Sequence, residues 1–149
     1  MRSLIAFALS LAGAYAQAQR PPARLNLELL PGRLAICRLD AKEKVPPWAQ
    51  KGNLTTVTRT AEELSVVCPE ANVPRGTKCE IGRRAFRIAG TVDFALIGII
   101  ASLANPLAQA DVSIFVVSTY DTDYLMVAED TLEKAIKTLE AAGHKVRRQ

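Results

Sequence analysis

Few side chains in this sequence are equipped for covalent chemistry. The one histidine, His144, sits in a charged C-terminal stretch, so a Ser-His-Asp or Cys-His relay would have to run through it. Three cysteines, Cys37, Cys68 and Cys79, include no Cys-x-x-Cys pair, and with a single histidine they do not compose a zinc site of the usual kind. Cys37 and Cys68 lie inside apolar runs, which favours three packed thiols; one bridge leaving one free thiol is the alternative. The carboxylates offer more. Gly90-Thr91-Val92-Asp93 precedes a long apolar run, and Asp93 is a natural N-cap whose carboxylate accepts from free backbone N–H groups. Thr119-Tyr120-Asp121-Thr122-Asp123 puts two carboxylates in a turn, where Asp is favoured because its side chain bonds its own backbone. Arg83-Arg84 and Arg147-Arg148 read as solvated ends. Glu133, Lys134, Lys137 and Glu140 read as a solvated helix face.

The elements that must position these groups alternate along the chain. Residues 34–39, 54–60 and 63–68 read as strands, with at most a helical turn after Pro46-Pro47 beside Trp48, which packs the first part of the chain. Residues 69–77 hold two prolines and a glycine and read as a loop. Residues 78–88 are extended with a break at Gly82. A helix is expected over 94–110, capped by Asp93 and shortened or kinked by Pro106. Residues 112–119 and 123–128 form a hairpin. The last helix is the best defined: Asp130-Thr131-Leu132-Glu133 has capping-box spacing, Leu132, Ala135, Ile136, Leu139 and Ala142 form one apolar stripe, and Gly143 supplies a left-handed C-cap. Residues 144–146 can add a short edge strand.

From residue 84 onward the order is β-α-β-β-α-β, which folds as an antiparallel sheet with two helices on one face, the ferredoxin-like α+β plan. The first half reads as a reduced copy. Residues 57–67 align with 117–127 at an offset of 60 without a gap, both strand, polar turn, strand. A first unit lacking a second helix cannot cover its own sheet, so the two units must share a core.

Composition bounds the class. At 149 residues, 49% hydrophobic and 23% charged, the chain is globular, which excludes a disordered tail, a coiled coil and a collagen-like repeat. The net charge of +4 is spread along the chain and aromatics are only 5%, so nothing marks a nucleic-acid partner. Met1-Arg2-Ser3, an apolar stretch over 4–14, and the small-x-small sites Ala14-Tyr15-Ala16 and Ala16-Gln17-Ala18 have the layout of a secretory signal peptide over 1–18. The alternative is a misassigned upstream start, with the protein beginning near Arg24. The division expected is leader 1–18, linker 19–26, reduced unit 27–82 and complete unit 83–149. No run is long enough to span a membrane.

The run from Phe94 to Ala110, continuing into Val112-Ser113-Ile114-Phe115 and Ser118-Thr119-Tyr120-Asp121-Thr122-Asp123-Tyr124, resembles the ACT domain family. Together with Leu34-Ala35-Ile36-Cys37-Arg38-Leu39, Thr58-Arg59-Thr60 and the stretch from Glu63 to Glu70, it resembles a tandem ACT repeat of the CASTOR-type arginine-sensor branch and of small bacterial ACT-domain proteins. The resemblance covers roughly residues 27–146; the leader and the lack of an attached enzyme domain depart from it. It implies a non-catalytic regulatory or sensor module, without cofactor or metal, that binds a small molecule, most simply an amino acid, in a homodimer. It also implies a site at Asp93, Ser113, Ile114, Thr119, Tyr120, Thr122 and Asp123. Asp123 would hold a cationic side chain, with Asp121 a second carboxylate and the turn before the helix receiving the ligand carboxylate. A structural or interaction protein on the same fold, without a functional pocket, is the competing class. The family points to the cytoplasm, the leader to export.

Overall fold

The computed structural model describes residues 23–148; the expected leader and the first part of the linker lie outside the described residues. The described elements run β1 (Asn26–Leu29), β2 (Leu34–Leu39), β3 (Thr56–Arg59), β4 (Leu64–Pro69), β5 (Cys79–Ile88), α1 (Ile99–Gln109), β6 (Phe115–Ser118), β7 (Asp123–Ala128), α2 (Leu132–Ala141) and β8 (Lys145–Arg148). From β5 onward this is the expected βαββαβ series. All eight strands join one sheet.

β5 is the hub. Its first half pairs with β2, while its second half pairs with β7 on one side and β1 on the other. Gly82 adopts φ +69°, and the β2 register shifts between Leu34 and Ile36, so the expected break is a bulge that bends the strand between its two sets of partners. β1 lies between β5 and β8, antiparallel to the first and parallel to the second. The ferredoxin-like plan would set β5 and β8 side by side; here a strand from near residue 26 stands between them. Alternation explains it: Leu27 and Leu29 enter the helix-side core, and Glu28 faces the other way.

One face of the sheet carries both helices. Ile99, Leu103 and Leu107 of α1 and Leu132, Ala135, Ile136 and Leu139 of α2 meet Leu27, Leu29, Phe86, Ile88, Leu125 and Val127. Full burial of each large side chain contributes about 1.5–3 kcal/mol, so this layer dominates the fold. Among the described residues the opposite face has no helix, and it closes on a smaller cluster of Leu34, Leu54, Val67, Ala85 and Met126. Trp48 packs against a third cluster around Cys37, Leu64 and Val66, as expected for the first unit.

Four expectations need correction. α1 starts at Ile99, not at residue 94, because Gly98 sits in the left-handed region at φ +83° and cannot continue a helix backward. Asp93 therefore caps a separate turn: its Oδ1 accepts the Ala95 N–H at 2.8 Å and its carbonyl the Leu96 N–H at 3.0 Å. His144 is not in a solvated tail but is buried, only 4% exposed. Pro106 lies inside α1 and has no N–H to give the Ser102 carbonyl; His144 Nε2, 3.0 Å away, supplies that hydrogen bond instead. The Leu25 N–H donates to His144 Nδ1 at 3.2 Å, which fixes the Nε2–H tautomer.

Packed thiols give way to a bridge. Cys37 and Cys79 are directly opposite on β2 and β5 and are disulfide-bonded, leaving Cys68 free and buried. Burial pushes the Cys68 thiol above its ordinary value. Finally, the two hairpins superpose at an offset of 59, not 60. The Thr60 N–H donates to the Glu63 carbonyl and the Thr119 N–H to the Thr122 carbonyl, each at 2.9 Å, so Thr60 and Thr119 are the equivalent residues.

Candidate functional site

Three local structures converge beside the helix layer. The tip of the β6–β7 hairpin is closed by Thr119, whose hydroxyl donates to the Thr122 carbonyl at 2.8 Å. The segment before α1 is tied to that tip by the Val92 N–H, which donates to the Asp121 carbonyl at 2.7 Å. α1 then begins at a glycine with no side-chain cap. Between these parts opens a cleft of about 490 Å³.

Of the seven residues singled out in the sequence, five line this cleft: Asp93, Thr119, Tyr120, Thr122 and Asp123. Ser113 and Ile114 do not; Ser113 is exposed elsewhere and Ile114 packs on the helix-side core. The five differ in what they have left to offer. Thr122 is buried and its hydroxyl donates to the Ile88 carbonyl at 2.8 Å, so with Thr119 it builds the wall and holds the hairpin. One Asp93 oxygen is already engaged by the Ala95 N–H. Tyr120 is 81% exposed and meets Phe94 edge to face, ring centroids 5.2 Å apart. Asp123 is half-buried at the start of β7, and among the described residues no side chain pairs with its carboxylate.

The sequence reading missed one part of the site. It placed the anion-receiving backbone at 90–93, ahead of the helix. The uncapped N-terminus is at Gly98, and Gly98, Ile99, Ile100 and Ala101 line the cleft. The first N–H groups of a helix have no intrahelical acceptor and carry the positive end of its dipole, so they suit a carboxylate. Gly98 itself was the available signal, since glycine interrupts an otherwise unbroken apolar run. The arrangement can hold a dipolar ligand by its two ends, an anion at α1 and a cation at Asp123. Around the mouth Phe94, Leu96, Ile97 and Tyr120 form an exposed apolar rim, each more than half exposed.

Comparison with known proteins agrees with this architecture. The ACT domain family model matches residues 78–141, and a second model, described only as an N-terminal domain, matches residues 32–76. A crystal structure of an Agrobacterium tumefaciens protein is 38% identical, covers 85% of this chain and 95% of its own, and superposes with a TM-score of 0.81. The Thermus thermophilus regulatory subunit of aspartate kinase shares the fold at 9% identity and a TM-score of 0.57, with 80% of this chain and 99% of that one covered. The human cytosolic arginine sensor for mTORC1 subunit 1 is 40% identical over 58 residues. That stretch is 38% of this chain and spans only 18% of the curated relative. Residues 78–141 of the chain are an ACT domain, as their match to that family's model shows.

Proposed function

We propose that the chain is a non-catalytic regulatory or sensor module that binds an amino acid in the cleft at the α1 N-terminus. The observation that carries the reading is the pairing, in one cleft, of uncapped helix N–H groups at Gly98–Ala101 with the unpaired Asp123 carboxylate. A ligand carboxylate sits on the first and a cationic side chain on the second. The resemblance to an arginine sensor supports arginine as the first amino acid to try. The apolar rim of Phe94, Leu96, Ile97 and Tyr120 suits a second copy of the chain, which would close the cleft and make the working unit a homodimer. The leader expected over 1–18, taken with the Cys37–Cys79 disulfide, supports an exported chain, since disulfides persist in oxidising compartments.

A thermal-shift screen against the amino acids tests the reading. A ligand at about 100 times its dissociation constant stabilises by about 2.7 kcal/mol, or roughly 5–10 °C for a chain of this size. Asp123→Ala is expected to abolish the shift without altering the melting temperature of the free protein by more than a degree or so. A second reading, an interaction protein that kept the fold without a ligand, is favoured by the Thr119 hydroxyl being spent inside the hairpin and the Thr122 hydroxyl on the Ile88 carbonyl of β5. A well-folded sample that no amino acid stabilises decides for it.

A further inference from the structure

A second cavity, of about 340 Å³, opens on the sheet face opposite α1 and α2. It shares no lining residue with the cleft at α1. Its origin is topological. β1 and β2 lie end to end along the same edge of β5, β1 against residues 86–88 and β2 against 79–83. The chain leaves the sheet between them, anchored where the Leu30 N–H donates to the Ala85 carbonyl at 2.8 Å. The gap exposes a floor made by Leu34, Leu54 and Ala85, none more than 7% exposed. Ala85 offers only a methyl group to the space above it, and Tyr124 flanks it.

Charge stands at one end of this apolar floor. Arg87 and Glu28 are cross-strand neighbours whose side chains approach to 3.3 Å, and Arg33 lies at the mouth, 3.6 Å from Glu70. The Arg87–Glu28 side chains are 35% and 27% exposed, a half-buried cross-strand pair open to the cavity. Two guanidiniums line the space; each has one carboxylate partner, Glu28 for Arg87 and Glu70 for Arg33, and each keeps N–H donors that could hold a further anion. A guanidinium grips a carboxylate through two parallel hydrogen bonds. The volume is at the small end for ligand sites, too small for a nucleotide or a folded peptide.

We propose that this cavity binds a small carboxylate carried on a compact apolar body, the carboxylate on Arg87 with Arg33 beside it and the body on the Leu34, Leu54 and Ala85 floor. That chemistry has two sources, an apolar amino acid or its amine-free acid. Glu28 separates them, because only the amino acid brings an ammonium group for it.

Isothermal titration of the wild-type chain with leucine, isocaproate and isoamylamine tests the assignment. Leucine or isocaproate binds and isoamylamine, which lacks the carboxylate, does not. Arg87→Gln weakens binding by at least about tenfold, the loss expected for a hydrogen bond to a charged group. Ala85→Leu fills the floor and removes binding. Glu28→Gln weakens leucine and spares isocaproate if the amino acid is the natural ligand; isocaproate binding at least as tightly as leucine to the wild type assigns the amine-free acid. Loss of binding with Ala85→Leu, at a position that lines this cavity and not the cleft at α1, separates the two sites. If Arg87→Gln or Ala85→Leu does not fold, Arg33→Gln at the exposed mouth carries the same comparison. Failure of both carboxylates to bind folded protein overturns the proposal. So does affinity that is indifferent to the arginine substitutions or to Ala85→Leu.

Discussion

His144 is a residue whose role follows from a neighbour's deficiency. Pro106 deprives the Ser102 carbonyl of its helical donor, and the imidazole restores one while accepting from the Leu25 N–H. His144→Phe keeps the volume and strands both backbone groups in a buried place, which should cost about 2–4 kcal/mol in denaturant unfolding. His144→Gln, whose amide can donate and accept in the same directions, should recover much of that. A single histidine in a charged stretch gave no hint of this, because its two partners lie far away in sequence and one is created by the absence of an N–H. Cys68 makes the opposite kind of prediction. Its folded thiol is held above the ordinary value, so the unfolded chain ionises first as pH rises past about 9.0. The contribution is complete below that pH and declines above it toward the folded value. Comparing the alkaline limb of stability in wild type and Cys68→Ala should show a shallower decline in the variant.

At the scale of elements, what was legible was what is local. The stripe of α2, the hairpin tips and the bulge at Gly82 are written in neighbouring residues, and the structure has all of them. β1 was not legible: four residues, Asn26–Leu29, have too little pattern to stand alone, and their partners lie at β5 and β8. The α1 boundary was misread because apolar content does not separate a buried helix from an exposed turn. The same misreading concealed the rim, since a helix over 94–110 takes in Phe94, Leu96 and Ile97, which the structure leaves exposed ahead of α1. It also displaced the anion-receiving end of the site from residue 98 to residue 93, while Ser113 and Ile114 were drawn in from the family pattern and fall elsewhere. The rim carries its own prediction. Ile97→Ser, at a position 77% exposed, should leave the folded monomer's stability within about 0.5 kcal/mol. It should shift sedimentation toward monomer if two copies meet there.

At the scale of the molecule, the sheet is continuous while its cores are not. The helix-side layer holds the C-terminal half, and the first half depends on smaller clusters and on the Cys37–Cys79 bond. That bond closes a loop of sequence separation 42, for which chain entropy gives about 3–4 kcal/mol. Replacing both cysteines by alanine should lower stability by about 2–4 kcal/mol in oxidising buffer and by much less under reducing conditions, where only the packing of the buried sulfur is lost. Mass spectrometry of native protein after alkylation, without reduction, should find one reactive thiol once unfolded and a mature N-terminus near residue 19.

The placement of β1 between β5 and β8 has a consequence for how the chain reaches this shape. Leu25 and His144, which bond directly, stand 119 positions apart, and the strands on either side of them complete each other's pairing. The last strand therefore docks on an edge that the first one supplies, and the sheet order is complete only when both ends of the polypeptide are present. A ribosome or a translocation pore that releases the polypeptide gradually would let the early strand meet β5 on one edge and leave its other edge open until residues near 148 emerge. Completion is then late, and slowed by ordering that is so largely non-local.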